Sequence, residues 1–334
     1  MNAKPINTSN QRRRITKLLA LTVLAGIGCV GAVQAETYPS KPITLVVPYP
    51  AGGANDMLGR LIGQKMSEAL GQQLIIDNKP GAGTLIGATV VAKSPADGYT
   101  LLVGGFASNA VSPLLFKADF DPIKDFEPIG LFGTAPTILI TYPNSPYKTI
   151  KDVVDAAKKK PGEVMYGSSG NGSPLHMSGE MFTAQAGINM IHVPYKGGSA
   201  HILDLIGGRL DVIFDTSTNS TALIKGGKVR PIAVSSKIRL SDFPDVPTFT
   251  EAGYPDFAVN GWYALYAPAK TPKEIVNRLS TELQKVLKNP EVIEKLKAVG
   301  VTPASGDAQE LVKFGPTEIE KYSKLIKAAN IKAD

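Results

Sequence analysis

The chain has 334 residues, 43% of them hydrophobic and 19% charged. That is ordinary globular composition and more than a single hydrophobic core usually serves, so two lobes are expected. The formal charge of +7 is concentrated at the start: five of the 36 Lys and Arg lie in residues 1–35, without one acid, so the remainder carries 31 basic against 29 acidic residues. That near balance, with one Trp, argues against nucleic-acid binding, and a single cysteine excludes a disulfide framework.

Residues 1–35 read as an export signal. Arg12, Arg13, Arg14 and Lys17 precede an apolar core from Leu18 to Val33, and Val33-Gln34-Ala35 offers a small-residue cleavage site. The core is too short for a comfortable membrane span. Arg12-Arg13-Arg14 loosely matches a twin-arginine signal, and the ordinary secretory route is the preferred reading. Cys29 lies inside this segment in a poor lipidation context. Cleavage near Ala35 therefore leaves an exported, cysteine-free chain, without thiolate chemistry.

From Leu45 to Val47 an apolar run predicts a strand, which Pro48-Tyr49-Pro50-Ala51-Gly52-Gly53-Ala54 ends. Asn55 and Asp56 are capping types, and Met57, Leu58, Leu61, Ile62, Met66, Ala69 and Leu70 follow at helical spacing up to a stop at Gly71. A strand, a glycine turn and a helix N-terminus leave backbone N–H groups free at the positive end of a helix dipole, a site that suits phosphate or carboxylate. Further strands are predicted at Leu74–Ile76 and Thr100–Val103, with a short helix from Leu85 to Ala92 between them. This alternation predicts a mainly parallel sheet with helices on its faces. Gly104 to Asn109, with Ser108, follows at a strand end.

Ile138-Leu139-Ile140 predicts another strand, and Tyr142–Pro146 a connector between lobes. The pattern then restarts. Thr149 with Asp152 caps a helix, and Val164–Gly167 is a strand. Ser168-Ser169-Gly170-Asn171-Gly172-Ser173 is a small-residue loop, with Pro174 at the first helical position behind a Ser173 cap. Met190–Val193, Asp211–Asp215 and Ile232–Val234 are strands, and residues 235–257 read as a long surface connection. Val259 to Ala267 leads back as a strand. Thr271-Pro272-Lys273-Glu274 predicts a capping box for the first of the closing helices, which also start at Asn289-Pro290 and Asp307. The expected division is residues 36–138 plus 259–334 as one lobe and 139–258 as the other, with two hinge crossings and a cleft between strand ends.

The candidate ligand contacts are Tyr49, Ala51, Gly52, Gly53, Ala54, Asn55 and Asp56 in the first loop, and Ser169, Asn171, Gly172 and Ser173 in the second. Ser108, His176, Tyr195, Lys196, Gly197 and Asp215 border them. Two opposed glycine loops suit a small acid gripped at both ends. Neither G-x-G-x-x-G nor G-x-x-x-x-G-K-[ST] occurs, so no nucleotide cofactor is expected. His176, His192 and His201 lack metal-ligand spacing, so neither is a metal. Gly167-Ser168-Ser169-Gly170-Asn171 falls one glycine short of G-x-S-x-G. A periplasmic hydrolase using Ser169 or Ser173 with His176 is the competing reading, and a structural or adhesive module a third.

Several stretches together resemble one family: Tyr38-Pro39-Ser40-Lys41-Pro42-Ile43, Val46 to Gly53, Asn78-Lys79-Pro80-Gly81-Ala82-Gly83, Asp97 to Leu101, Gly170 to Ser173, His192 to Gly197 and Asp245-Val246-Pro247-Thr248. In order and spread they resemble the Bug-type periplasmic receptors of tripartite tricarboxylate transporters. The resemblance implies an α/β, two-lobed periplasmic-binding-protein-like fold of the type II, Venus-flytrap kind. It implies a non-catalytic monomer that binds a small carboxylic acid and hands it to membrane permease subunits, or to a sensor. It also implies that the loops around Pro50–Asp56 and Ser169–Ser173 hold the carboxylate through backbone N–H groups, bordered by Tyr49, His176, Tyr195 and Asp215. The Ala54-Asn55-Asp56 and Thr216–Ser220 stretches depart from the common pattern and are placed to tune the ligand.

Overall fold

A computed structural model describes residues 38–195 and 200–331. The expected export signal and its Cys29, with Lys196 and Gly197, lie outside the described residues. β1 (Ile43–Val47) is flanked in parallel by β2 (Leu74–Asn78) and β3 (Thr100–Gly105). α1 (Ala54–Leu70) lies close to these strands because two small residues face them: a Cβ on Gly59 would stand 3.0 Å from Val47, and one on Gly63 3.3 Å from Leu45. Leu58, Ile62 and Met66 fill the same face, whereas Met57 is turned outward. α2 (Leu85–Ala92) covers the sheet through Ala88 and Val91. After β3 the chain coils into a π-helical turn (Ala107–Val111) and the short α3 (Ser112–Leu115).

β4 (Phe126–Thr141) is far longer than the three-residue strand expected. Its Phe126–Pro136 part pairs antiparallel with β9 (Asn260–Pro268), and its Thr137–Thr141 part pairs antiparallel with β7 (Val212–Thr216) and β8 (Arg230–Val234). β4 therefore runs on without a break from β9 to β7 and β8, and Tyr142–Pro146 follows its end. β5 (Met165–Ser168) lies parallel to β7 and to β6 (Ile191–Pro194). The sheet order is β2-β1-β3-β9-β4-β7-β5-β6, with β8 and β10 (Thr302–Pro303) also on β4. The sheet is thus parallel at both ends and antiparallel through the middle, which corrects the expectation of a mainly parallel sheet. The two crossing strands impose this, because each returns against its neighbour.

Side chains of β4 alternate between layers. Ile138 and Ile140 pack with Ile202, Leu205 and Ile213 on one face, while Leu139 joins Phe182, Phe214, Phe249 and Phe257 on the other. The 235–257 segment is therefore more than surface: Phe243, Val246, Phe249 and Phe257 are buried in it.

α4 (Ile150–Lys159) is opened by Thr149 and Asp152 in the expected capping box. α5 (Pro174–Ala186) starts behind Ser173, and α6 (Ala200–Ile206) precedes β7. The polar Thr216–Ser220 stretch, expected only to end a strand, launches α7 (Ser217–Lys225). α8 (Lys273–Leu287), α9 (Pro290–Ala298) and α10 (Ala308–Ala328) close the chain. The capping box expected at Thr271 does not form; its hydroxyl donates instead to the Pro268 carbonyl at 2.7 Å. Among the described residues no helix is long and apolar enough to cross a membrane.

Candidate functional site

The loop after β1 enters α1 without a side-chain cap on Gly53. The first turn is organised from behind by Asp56. One of its carboxylate oxygens accepts from the Gly52 N–H at 2.9 Å and from Arg60 Nε at 2.9 Å, and the other accepts from Asn78 Nδ2 at 2.9 Å. Asn78 also donates to the Tyr49 carbonyl at 3.1 Å. Burial would raise the Asp56 carboxyl, but the bonds from Arg60, Gly52 and Asn78 outweigh it and hold the group below its ordinary value. Asp56 therefore ties both ends of the loop to the sheet. The amides of Gly53, Ala54, Asn55 and Asp56 keep no hydrogen-bond partner among the described residues. Ala51, Gly52 and Gly53 are exposed. The result is an outward row of donors at a helix N-terminus.

The loop after β5 is spent differently. Gly170 N–H donates to Ser168 Oγ at 3.0 Å, Gly172 N–H to His176 Nδ1 at 3.2 Å, and Ser173 N–H to the Gly170 carbonyl at 3.2 Å. Ser173 Oγ caps α5 by accepting from His176 N–H at 3.2 Å. Ser168 Oγ is 2.7 Å from His192 Nε2, and the His192 ring stacks on His176 with centroids 4.0 Å apart and on Tyr166 at 4.9 Å. The bond from Gly172 leaves His176 Nδ1 bare, so its proton sits on Nε2, which faces Glu180 at 3.7 Å. Burial pushes the Glu180 carboxyl up, and His176 and Tyr166 more than reverse that. Gly170 has φ +120° and stands where a Cβ would come within 2.8 Å of the Tyr195 carbonyl, so only glycine fits. Gly172 faces the other half of the molecule, where a Cβ would reach to 2.9 Å from Leu115.

The bordering residues are placed as follows. Ser108 is fully buried and accepts from the Gly105 N–H at 3.1 Å, so its hydroxyl holds the strand end. Asp215 is fully buried and accepts from Thr216 N–H, Asn219 and Ser220, anchoring the start of α7. The Tyr195 hydroxyl donates to Asp204, and burial with that carboxylate raises it to about 12. Tyr49 is half-buried; its hydroxyl is pushed up by desolvation and by Tyr263. Tyr263 itself, raised to about 12 by burial, stacks on Phe132. Asn78, His192, Tyr263 and Thr218 were not among the expected site residues. A polar residue closing an apolar strand was the available signal for Asn78, and the aromatic pair Trp262-Tyr263 on the returning strand, read as hinge packing before a cleft wall, was the signal for Tyr263; nothing local marks the others. Among the described residues no cluster of His, Cys, Asp and Glu could hold a metal. A separate groove of about 760 Å³ lies between Thr149, Val154, Ile232, Val246 and Tyr254, and none of the expected contacts lines it.

Two strand–loop–helix devices on either side of a pair of shared strands define a periplasmic-binding-protein fold, the architecture of a receptor that encloses a small solute. The comparisons agree. The chain belongs to the tripartite tricarboxylate transporter family of receptors, whose model matches residues 58–331. It is 32% identical over 326 residues to protein BugT of Bordetella pertussis, covering 95% of this chain and 99% of that one. A Rhodopseudomonas palustris protein solved with adipate is 35% identical with a TM-score of 0.81, covering 88% and 99% of the two chains. MatC of the same organism, solved with malate, is 30% identical with a TM-score of 0.77, covering 86% and 100%. The chain is a solute-binding receptor and not an enzyme, which removes the hydrolase reading. Geometry accounts for the Ser173 and His176 pair: Ser173 Oγ caps a helix and His176 Nδ1 is already bonded to Gly172.

Proposed function

We propose that the protein captures a small carboxylic acid in the periplasm and delivers it to the permease subunits of a tripartite tricarboxylate transporter. The observation that carries this is the row of unpaired amides from Gly53 to Asp56 at the start of α1. A carboxylate there exchanges its hydration for fixed donors and a helix dipole, worth roughly 0.3–1 kcal/mol for the dipole at an exposed site and more once water is excluded. The second loop, with Ser169, Asn171 and Ser173, meets the acid from the opposite side. Relatives solved with adipate and malate support the ligand class.

The lobes divide where β4 changes partners, between Pro136 and Thr137, and where β9 begins at Asn260. Bending at those two points closes the cleft, and the closed monomer is the form the permease recognises. Residues 1–35 serve as the export signal, cleaved near Ala35, on the strength of their basic start and apolar core. Thermal-shift screening of a carboxylic-acid panel on residues 36–334 tests the reading. A melting point that climbs with the concentration of one acid is expected; a flat response to every acid overturns it.

A further inference from the structure

The second loop closes on a pair of stacked imidazoles. His176 is 4% exposed and occupies the third position of α5, behind Pro174 and Leu175. Its ring lies on that of His192, from β6, with centroids 4.0 Å apart and planes 8° apart. His176 Nδ1 accepts from the Gly172 N–H at 3.2 Å, and Nε2 faces a Glu180 oxygen at 3.7 Å. The same Glu180 oxygen accepts from the Tyr166 hydroxyl at 2.5 Å.

Ionisation of this pair acts on the loop directly. A proton on His176 Nδ1 turns the acceptor of the Gly172 N–H into a donor, so that bond is lost and the amide is released. Glu180 is placed to receive the new charge. The start of α5 opposes it, because the first turn of a helix disfavours a cation. Two imidazolium rings with centroids 4.0 Å apart would repel, so the stack takes one proton and not two.

The other ionisable groups on the elements around His176 are engaged elsewhere. Asp215 of β7 is held by Thr216, Asn219 and Ser220. On α10, which also touches α5, Glu318 pairs with Lys321 at 2.5 Å and Glu320 with Lys324 at 2.7 Å. The Tyr166 hydroxyl is pushed far up by burial and by Glu180, and Tyr263 is raised to about 12 by burial, so both stay neutral. β4 meets α5 through the Thr137 hydroxyl, 2.9 Å from Ser178.

We propose that the His176–His192 pair is a proton site coupled to acid capture: the acid enters with one proton, taken up by His176, and the Gly172 N–H turns from the ring to the carboxylate. This rests on the carboxylate-receptor reading above and adds a second ligand to it, the proton. In the empty receptor the helix N-terminus keeps the ring neutral. An anion in the cleft reverses that field, and the imidazolium forms against Glu180. The released amide then joins the donors of the first loop. Affinity therefore rises as pH falls through the imidazole range, about 6.5. His176 is a positioning residue here, acting on the acid through Gly172, and His192 holds its ring and limits the uptake to one proton.

Calorimetric titration of the protein with malate and with adipate at pH 7, in phosphate and in Tris, measures the uptake, because the two buffers differ in heat of ionisation. Both acids are ionised at that pH, so a proton taken up belongs to the protein. Roughly half a proton or more should be taken up per acid, and binding should be about fivefold tighter at pH 6.5 than at pH 8. His176→Asn keeps an acceptor for the Gly172 N–H without a titrating ring, so its binding should take up no proton and stay level across that range. Glu180→Gln removes the counter-charge and should lower the midpoint of the affinity profile by about one pH unit. No uptake, or uptake that persists in His176→Asn, overturns the proton site and leaves the receptor reading standing. Should neither acid bind, the unliganded protein decides. Nitrogen NMR should show His176 Nδ1 gaining its proton between about pH 5 and 7, with the Gly172 amide resonance moving at the same midpoint. A ring still neutral at pH 5, or a Gly172 amide indifferent to its titration, overturns the proposal.

Discussion

The loop after β1 and the loop after β5 share one plan, a strand running through glycines into a helix, yet they spend their backbone donors in opposite ways. In the first, a carboxylate from the helix reaches back and takes only the Gly52 amide, leaving the next four free. In the second, Gly170, Gly172 and Ser173 all donate within the loop or to the His176 ring. The difference teaches that a glycine loop before a helix is not in itself an anion site. What decides is whether neighbouring side chains leave the amides unpaired. The first loop thus keeps the free donors that the proposed reading gives to the acid, while the second spends its own on a fixed shape, with Gly172 close against Leu115.

Substitutions can break this contrast, beginning with the most damaging. Gly170→Ala forces a side chain into a positive-φ position and against the Tyr195 carbonyl. It should cost ~3 kcal/mol, at the upper end for a strained backbone position, read as a lowered denaturant midpoint with unchanged slope. His176→Ala removes the acceptor for Gly172 N–H and one member of the ring stack. Leaving a buried amide unpaired costs about 1–3 kcal/mol, so a stability loss near 2 kcal/mol should accompany a weaker acid response.

In the first loop Asp56→Asn should cost roughly 1–2 kcal/mol at neutral pH, because charge-assisted bonds from Gly52 and Arg60 weaken. The pH dependence has a definite sign. The folded carboxyl lies below its ordinary value, so its contribution is complete above the unfolded pKa of about 3.9 and disappears as pH falls through the folded value. Urea midpoints measured from pH 6 down to pH 2 should therefore fall more steeply for the unaltered protein than for Asp56→Asn. The mildest pair sharpens the comparison most. Gly52→Ala meets no atom within 4 Å but sits at φ +83°, costing about 1 kcal/mol. Gly53→Ala has ordinary φ and only the Pro50 carbonyl at 3.7 Å, so stability should stay within ~0.5 kcal/mol. The added methyl stands at the amide row, so affinity for the acid should fall while the unfolding midpoint hardly moves.

Much of the second loop's outline was readable locally. Ser173 with Pro174, Thr149 with Asp152 and Asn289 with Pro290 all open helices as their residue types require. The failures have physical causes. Thr271 had the right chemistry for a cap, but a nearer carbonyl at Pro268 took its hydroxyl. Thr216–Ser220 looked like a polar strand end, and Asp215 turned it into a helix start by accepting from Thr216, Asn219 and Ser220. Phe243, Phe249 and Phe257 were hidden among prolines, in a stretch without the periodicity that betrays buried faces.

By itself the amino-acid order determined the alternation of strands and helices, the two glycine loops and the family, because each depends on residues close together in the chain. Tertiary structure alone decided that β4 spans both halves and that Asn78 ties down Asp56. It alone stacked His192 on His176 and brought Tyr263 beside Thr218. Those partners stand 16 to 45 positions apart. Hydrogen bonds and burial depend on distance in space, which no local pattern of residues records.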